Sequence, residues 1–132
     1  MTNTQITEKQ VDEIILALMK KHSKDVVVKV EEFHDLLKYS LSLSTMEKKR
    51  VVDAVPTLSQ FQFDELTKVF EDERVKFKEL AGKHPEDIKK LVAKQQKEWL
   101  ELGDIYKLEE EKARAESGNQ AKIDDVKKSL GL

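Results

Sequence analysis

Apolar residues recur along this chain at intervals of three, four and seven, with charged residues filling the positions between. That period lays greasy side chains along one face of an α-helix, whereas a half-buried strand would alternate them every second residue. The first stripe is Val11, Ile14, Ile15, Leu18 and Met19. Thr7 precedes it as an N-cap, and Gln10 three residues later completes a capping box. Lys20, Lys21 and His22 follow, where cations complement the helix dipole.

The stretch Ser23 to Ser42 carries two signals. Val26-Val27-Val28 is β-branched and suits a strand. Val26, Val30, Phe33 and Leu37 nevertheless fit a helical stripe flanked by Val27, His34 and Leu41, and a strand here would have no partner elsewhere in the chain. The expectation is a helix.

Ser44 with Glu47 forms a second capping box, opening a short helix that carries Met46, Val51, Val52 and Val55. Pro56 ends it, because the residue before a proline is pushed out of helical geometry. Ser59 with Gln62 makes a third box, with Leu58 as a hydrophobic staple onto Phe63. The fourth helix is expected over 60–81, with Phe63, Leu66, Phe70, Phe77 and Leu80 on one face. Gly82 is read as its C′ residue. Pro85 suits the first turn of the next helix, followed by Glu86 and Asp87 at the positive end of its dipole.

The fifth helix is expected over 85–116, roughly 48 Å at ~1.5 Å per residue. Ile88, Leu91, Val92, Trp99, Leu102, Ile105 and Tyr106 are its apolar positions, Gly103 is a kink site, and Trp99 is expected to pack with Val92 and Tyr106. Beyond Leu108 the helix has little to bury, so 107–132 reads as a projecting or partner-docked segment. Ser117-Gly118-Asn119 is read as a turn, followed by a short helix with Ile123, Val126 and Leu130 on one face. Such a helix is too short to stand alone. The pattern therefore predicts an all-α protein: a single domain over 1–132, a bundle of five to six helices with the hairpin 60–81 and 85–116 as its spine. A chain of 132 residues suits one domain.

Composition agrees. Charged residues reach 38% against a usual share of about 25%, and 4 glycines and 2 prolines are too few for the turns of a sandwich or barrel. The absence of cysteine excludes disulfides, thiolate zinc sites and cysteine nucleophiles. The longest apolar run, Ile14 to Met19, falls far short of the ~20 residues that span a bilayer. The polar start of the chain is unlike a secretory signal, and the expected location is cytoplasmic.

Candidate chemistry is sparse. Glu31 and His34 form the Glu-x-x-His pair of di-iron bundles, but Met19 and Ala81 precede His22 and His84 at the matching position, so no second pair exists. His22 and Asp25 straddle an expected helix end. Acidic clusters have nearby bases as partners: Asp72 with Lys76, Glu86 with Lys90, Glu110 with Arg114. No phosphate loop, serine elbow or zinc-protease motif is present. The sequence thus points to a non-enzyme, with no cofactor, metal or small-molecule substrate. Lys48-Lys49-Arg50 and Lys20-Lys21 with Lys24 are the best positions for nucleic acid, but net charge stays near zero in every segment and no aromatic residues interleave the bases. Nucleic acid is the second reading. Phe61 and Val69 lie off the stripe of the fourth helix, which means either burial on two sides or an apolar strip offered to a partner. With Leu108, Ile123, Val126 and Leu130, they are the residues expected to bind a partner protein or a second copy.

Overall fold

Three capping boxes fix three helix starts. In each, the hydroxyl of Thr7, Ser44 or Ser59 accepts from the backbone N–H three residues on, and the side chain of Gln10, Glu47 or Gln62 accepts from the cap's own N–H. The computed structural model describes the chain from Ile6 to Ser129, with side chains to Ala115. Over that range the helices are α1 (Glu8–Met19), α2 (Val30–Lys38), α3 (Thr45–Ala54), α4 (Gln60–Lys83) and α5 (Pro85–Ser129), with a 3-10 turn at Val55–Thr57. No described residue is in a strand. The protein is an all-α helical bundle.

The core forms where the stripes meet. Val11, Ile15 and Met19 of α1 are fully buried, as are Leu37 of α2, Val52 of α3, Val55 of the turn, and Trp99 and Leu102 of α5. α5 receives α1 and α3 on its middle portion and α4 beside it, while α2 bridges α1 and α4. Phe33 of α2 meets Phe63 of α4 edge-on at 5.2 Å between ring centroids and Phe70 at 6.0 Å. Gly103 is buried where α1 crosses α5. A Cβ there would overlap the Cγ2 methyl of Val11 and lie 3.0 Å from Cδ1 of Ile6. The glycine is thus a point of close helix approach within an unbroken helix.

The buried residues of the hairpin lie at 63 and 70 on α4 and from 95 to 106 on α5. Between them its tip leaves the body, and Phe77, Ala81, Ile88 and Leu91 are only half-buried. At the other end every residue from Lys107 to Ala115 is exposed, so this stretch of α5 lies beyond the core.

Several expectations are corrected. α2 begins at Val30, not near Ser23, and the valine run is neither helix nor strand. Val26 is buried as an anchor, while the Gln60 side chain accepts from the Val27 N–H at 2.7 Å and donates to its carbonyl at 3.1 Å. One amide thus supplies the pairing that a strand would have needed. α4 continues through Gly82 to Lys83, and the break falls at His84 (φ −134°), the residue that Pro85 forces out of helical geometry. The turn at Ser117-Gly118-Asn119 does not form, and the expected sixth helix is the continuation of α5. A lone glycine costs ~1 kcal/mol in a helix, too little here to stop one that has Ala115 and Glu116 before the Ser-Gly-Asn triplet and Gln120, Ala121 and Lys122 after it. Val92, 38% exposed, lies outside the core that holds Trp99 and Tyr106, and Leu80 near the same hairpin tip is exposed as well.

Candidate interaction surface

Two arrangements of polar and apolar side chains stand out, one inside the bundle and one on it. The internal one is centred on Asp12 of α1. Its carboxylate accepts from Trp99 Nε1 at 3.0 Å and from Lys38 Nζ at 3.1 Å. His34 Nε2 lies 3.3 Å from the same carboxylate but off the line of a hydrogen bond, and its ring meets Trp99 edge-on at 5.5 Å. The Lys38 carbonyl in turn accepts from Lys48 Nζ at 2.9 Å and Gln95 Nε2 at 2.8 Å. Four helices meet in this hub: α1, α2, α3 and α5.

Electrostatics differ sharply within it. Burial works against the Lys38 ammonium, but Glu8 and Asp12 outweigh it and hold its pKa at about 12. Among the described residues no carboxylate is in contact with Lys48; burial brings it down to about 8 against a pull from Glu98. Burial also outweighs Asp12 at His34 and holds the imidazole below its ordinary range. These groups have the chemistry of acids and bases, but the cleft above them is only about 90 Å³ and reaches Gln95 without touching Asp12, His34 or Lys48. The arrangement ties helices together.

The basic run Lys48-Lys49-Arg50 is largely spent on the fold. Lys48 is buried, and Lys49 is bridged to Asp53 at 2.7 Å and Glu109 at 2.9 Å, which raise its pKa. Arg50 alone of the three is exposed. Tyr106 donates to Asp53 at 2.6 Å on the same seam, and burial with that carboxylate pushes its phenol far up. Glu31 does not partner His34, whose neighbour is Asp12. His22 Nδ1 sits 2.9 Å from the Ser23 carbonyl, and the Asp25 N–H donates to the Ser23 hydroxyl. Among the described residues no group of three or more His, Asp or Glu is placed to hold a metal ion. Glu110 pairs with Arg114 as the spacing suggested, whereas Glu86 takes Lys89 instead of Lys90.

On the surface, Phe61 and Val69 come together. They share a shallow, open depression of about 320 Å³ with Leu58, Gln62, Glu65 and Leu66 on the outer face of α4. Phe61 is 72% exposed and Val69 48%, so α4 is not buried on a second side. Leu108 is 64% exposed, on the part of α5 that leaves the core. Ile123 and Val126 lie on the α5 backbone beyond the described side chains, and Leu130 lies outside the described residues. The polar hub had no short-range signal: Asp12 and Trp99 are 87 residues apart, and Lys48 reads from sequence as one base in a surface run.

Among the described residues no helix is long and apolar enough to cross a membrane. No family model, curated protein or solved structure matches the chain.

Proposed function

We propose that this chain is a non-enzymatic, cytoplasmic helical interaction module that binds a partner protein or a second copy of itself through the outer face of α4. The observation that carries the reading is the depression around Phe61, where an aromatic ring 72% exposed stands beside Leu58, Leu66 and Val69. A single exposed apolar residue is ordinary, but a contiguous cluster rimmed by polar groups is how partner sites are built. Aromatic anchors are also the residues that dominate binding energy at such surfaces. Leu108 and the overhanging part of α5 extend the reading to a second contact along that helix.

The test compares the wild type with Phe61→Ser and Val69→Asp by sedimentation velocity over a wide concentration range and by affinity capture from the native cell. Both positions are exposed, so stability should change by no more than ~0.5 kcal/mol. Self-association, or retention of a specific protein, should be lost in both variants. A strictly monomeric wild type whose captured proteins are unchanged by either substitution would refute the reading.

A further inference from the structure

A second, deeper concavity lies on another face of α4. At about 100° per residue, Phe61, Glu65 and Val69 define one side of the helix, and Phe70, Arg74, Phe77 and Ala81 another roughly 150° away. The latter side forms one wall of a groove of about 400 Å³ whose opposite wall is α2. Leu36, Phe70, Phe77, Ala81 and Ile88 make its floor, and Tyr39, 47% exposed, stands at its edge. It continues past Arg74 into an open trough of about 510 Å³ beside the first turn of α2.

The rim is acidic. Glu31, Glu32, Asp35, Glu71 and Glu73 line the two concavities, against Arg74 and Lys78. Arg74 is already used, donating to the Asp35 carboxylate at 3.0 Å and to the Asp35 carbonyl at 3.2 Å. Glu73 is held on the body by the Ser42 hydroxyl at 2.7 Å. Glu31, Glu32 and Glu71 are exposed around the trough, and of the two basic lining residues Lys78 has no ion pair among the described residues.

We propose that this groove is a docking site for a basic amphipathic helix of a partner protein. Its apolar face fills the floor between α2 and the hairpin, and its lysines or arginines face Glu31, Glu32 and Glu71. A helix laid in a groove presents anchors at three- and four-residue spacing, which suits the elongated floor from Phe70 to Ile88. The acidic end supplies orientation and on-rate more than raw affinity. The site is separate from the Phe61 surface, and the two stand or fall independently.

The probe is a pair of synthetic amphipathic peptides of about 15 residues with identical leucine faces, one flanked by lysine and one by glutamate. Each is titrated into the full-length chain labelled with nitrogen-15, and amide shifts are followed. The lysine peptide should move amides in 31–41 and 70–81, bind about tenfold more tightly than the glutamate peptide, and weaken as salt is raised. Phe77→Ser should reduce its affinity about tenfold. Because Phe77 is half-buried, a Glu31→Gln/Glu32→Gln/Glu71→Gln variant on the exposed rim serves as the second arm and should lose the lysine preference with the fold intact. Phe61→Ser should leave the titration unchanged. Equal binding of the two peptides, shifts confined to 61–69, the absence of shifts, or a concentration-dependent dimer abolished by Phe77→Ser would each overturn the proposal. The last outcome would assign the groove to a second copy.

Discussion

The ammonium of Lys48 donates to the main-chain carbonyl of Lys38 at 2.9 Å, so α3 sets a buried positive charge against the backbone of α2. Among the described residues no carboxylate touches it, and the residue is 1% exposed. Its pKa falls from 10.5 to about 8. Between those values the unfolded chain binds more protons than the folded one, so stability should rise with pH from about 8 toward 10. At 1.36 kcal/mol per unit the rise is of order 2–3 kcal/mol. Three groups then act the other way, one of them Lys49, which Asp53 and Glu109 hold in its charged form. The raised pKa of Tyr106 removes stability above about 10, and Lys38, raised from 10.5 to about 12, removes more from 10.5 upward. Urea denaturation from pH 7 to 11 should therefore show an alkaline maximum. Lys48→Met should lack the rising limb while remaining about as stable as wild type at pH 7, since replacing a buried charge with an apolar chain of similar length removes its desolvation penalty. A variant that keeps the rise would show that Lys48 does not cause it.

Local signals in the sequence were legible and long-range ones were not. Thr7, Ser44 and Ser59 announce their helices because a capping box is decided within four residues, and the Pro85 start is equally local. That Phe61 and Val69 depart from the Phe63–Phe70 stripe was readable, but whether they were buried on a second side or exposed was not, because that depends on which helices pack around α4. The valine segment misleads because its conformation is set by Gln60, 33 residues away. Gly118 misleads because three turn-favouring residues weigh less than the helix-forming residues on both sides of them. The groove beneath Tyr39 was unreadable, since it exists only through the angle at which the hairpin tip leaves α2.

Two glycines within helices should respond oppositely to alanine. At Gly82 nothing lies within 4 Å of the added Cβ, so Gly82→Ala should stabilise by about 0.5–1 kcal/mol through helix propensity. At Gly103 the added methyl runs into Val11, so Gly103→Ala should destabilise by about 1–3 kcal/mol as the two helices are forced apart. Val11→Ala should be costly alone yet less than additive with Gly103→Ala, because the shortened side chain makes room for the new methyl and the methyl fills part of the cavity. Thermal melts of the four proteins decide it, and strict additivity would mean that the contact between α1 and α5 is not the cause.

Gln60→Ala should release the valine segment. It removes both hydrogen bonds to Val27, whose backbone would then have to find water. The loss in stability should be about 1 kcal/mol, the net worth of ordinary hydrogen bonds at an exposed site. The larger effect should be local, with faster hydrogen exchange at the Val27 amide and unchanged exchange in the middle of α1. Since an unpaired β-branched run is a template for strand addition, the variant should also aggregate sooner on storage. Unchanged protection at Val27 would show that another group holds the segment in place.

Acid should attack the same core from the opposite side. His34 is buried in the hub with its Nε2 facing Asp12, and burial keeps its pKa below 6.5. Below that value the unfolded chain takes up the proton more readily than the folded one, so stability should fall as pH drops from about 6.5. Burial outweighs the Asp12 carboxylate, which favours the new charge but is shared with Trp99 and with the cationic Lys38. His34→Gln keeps a polar group of similar reach without the titration and should flatten stability between pH 6.5 and 5. Trp99 offers an independent readout, because its ring lies 5.5 Å from the imidazole and its fluorescence should change over the same pH range in wild type only. If the variant lost stability on acidification as steeply as wild type, the acid response would belong to the carboxylates and not to His34.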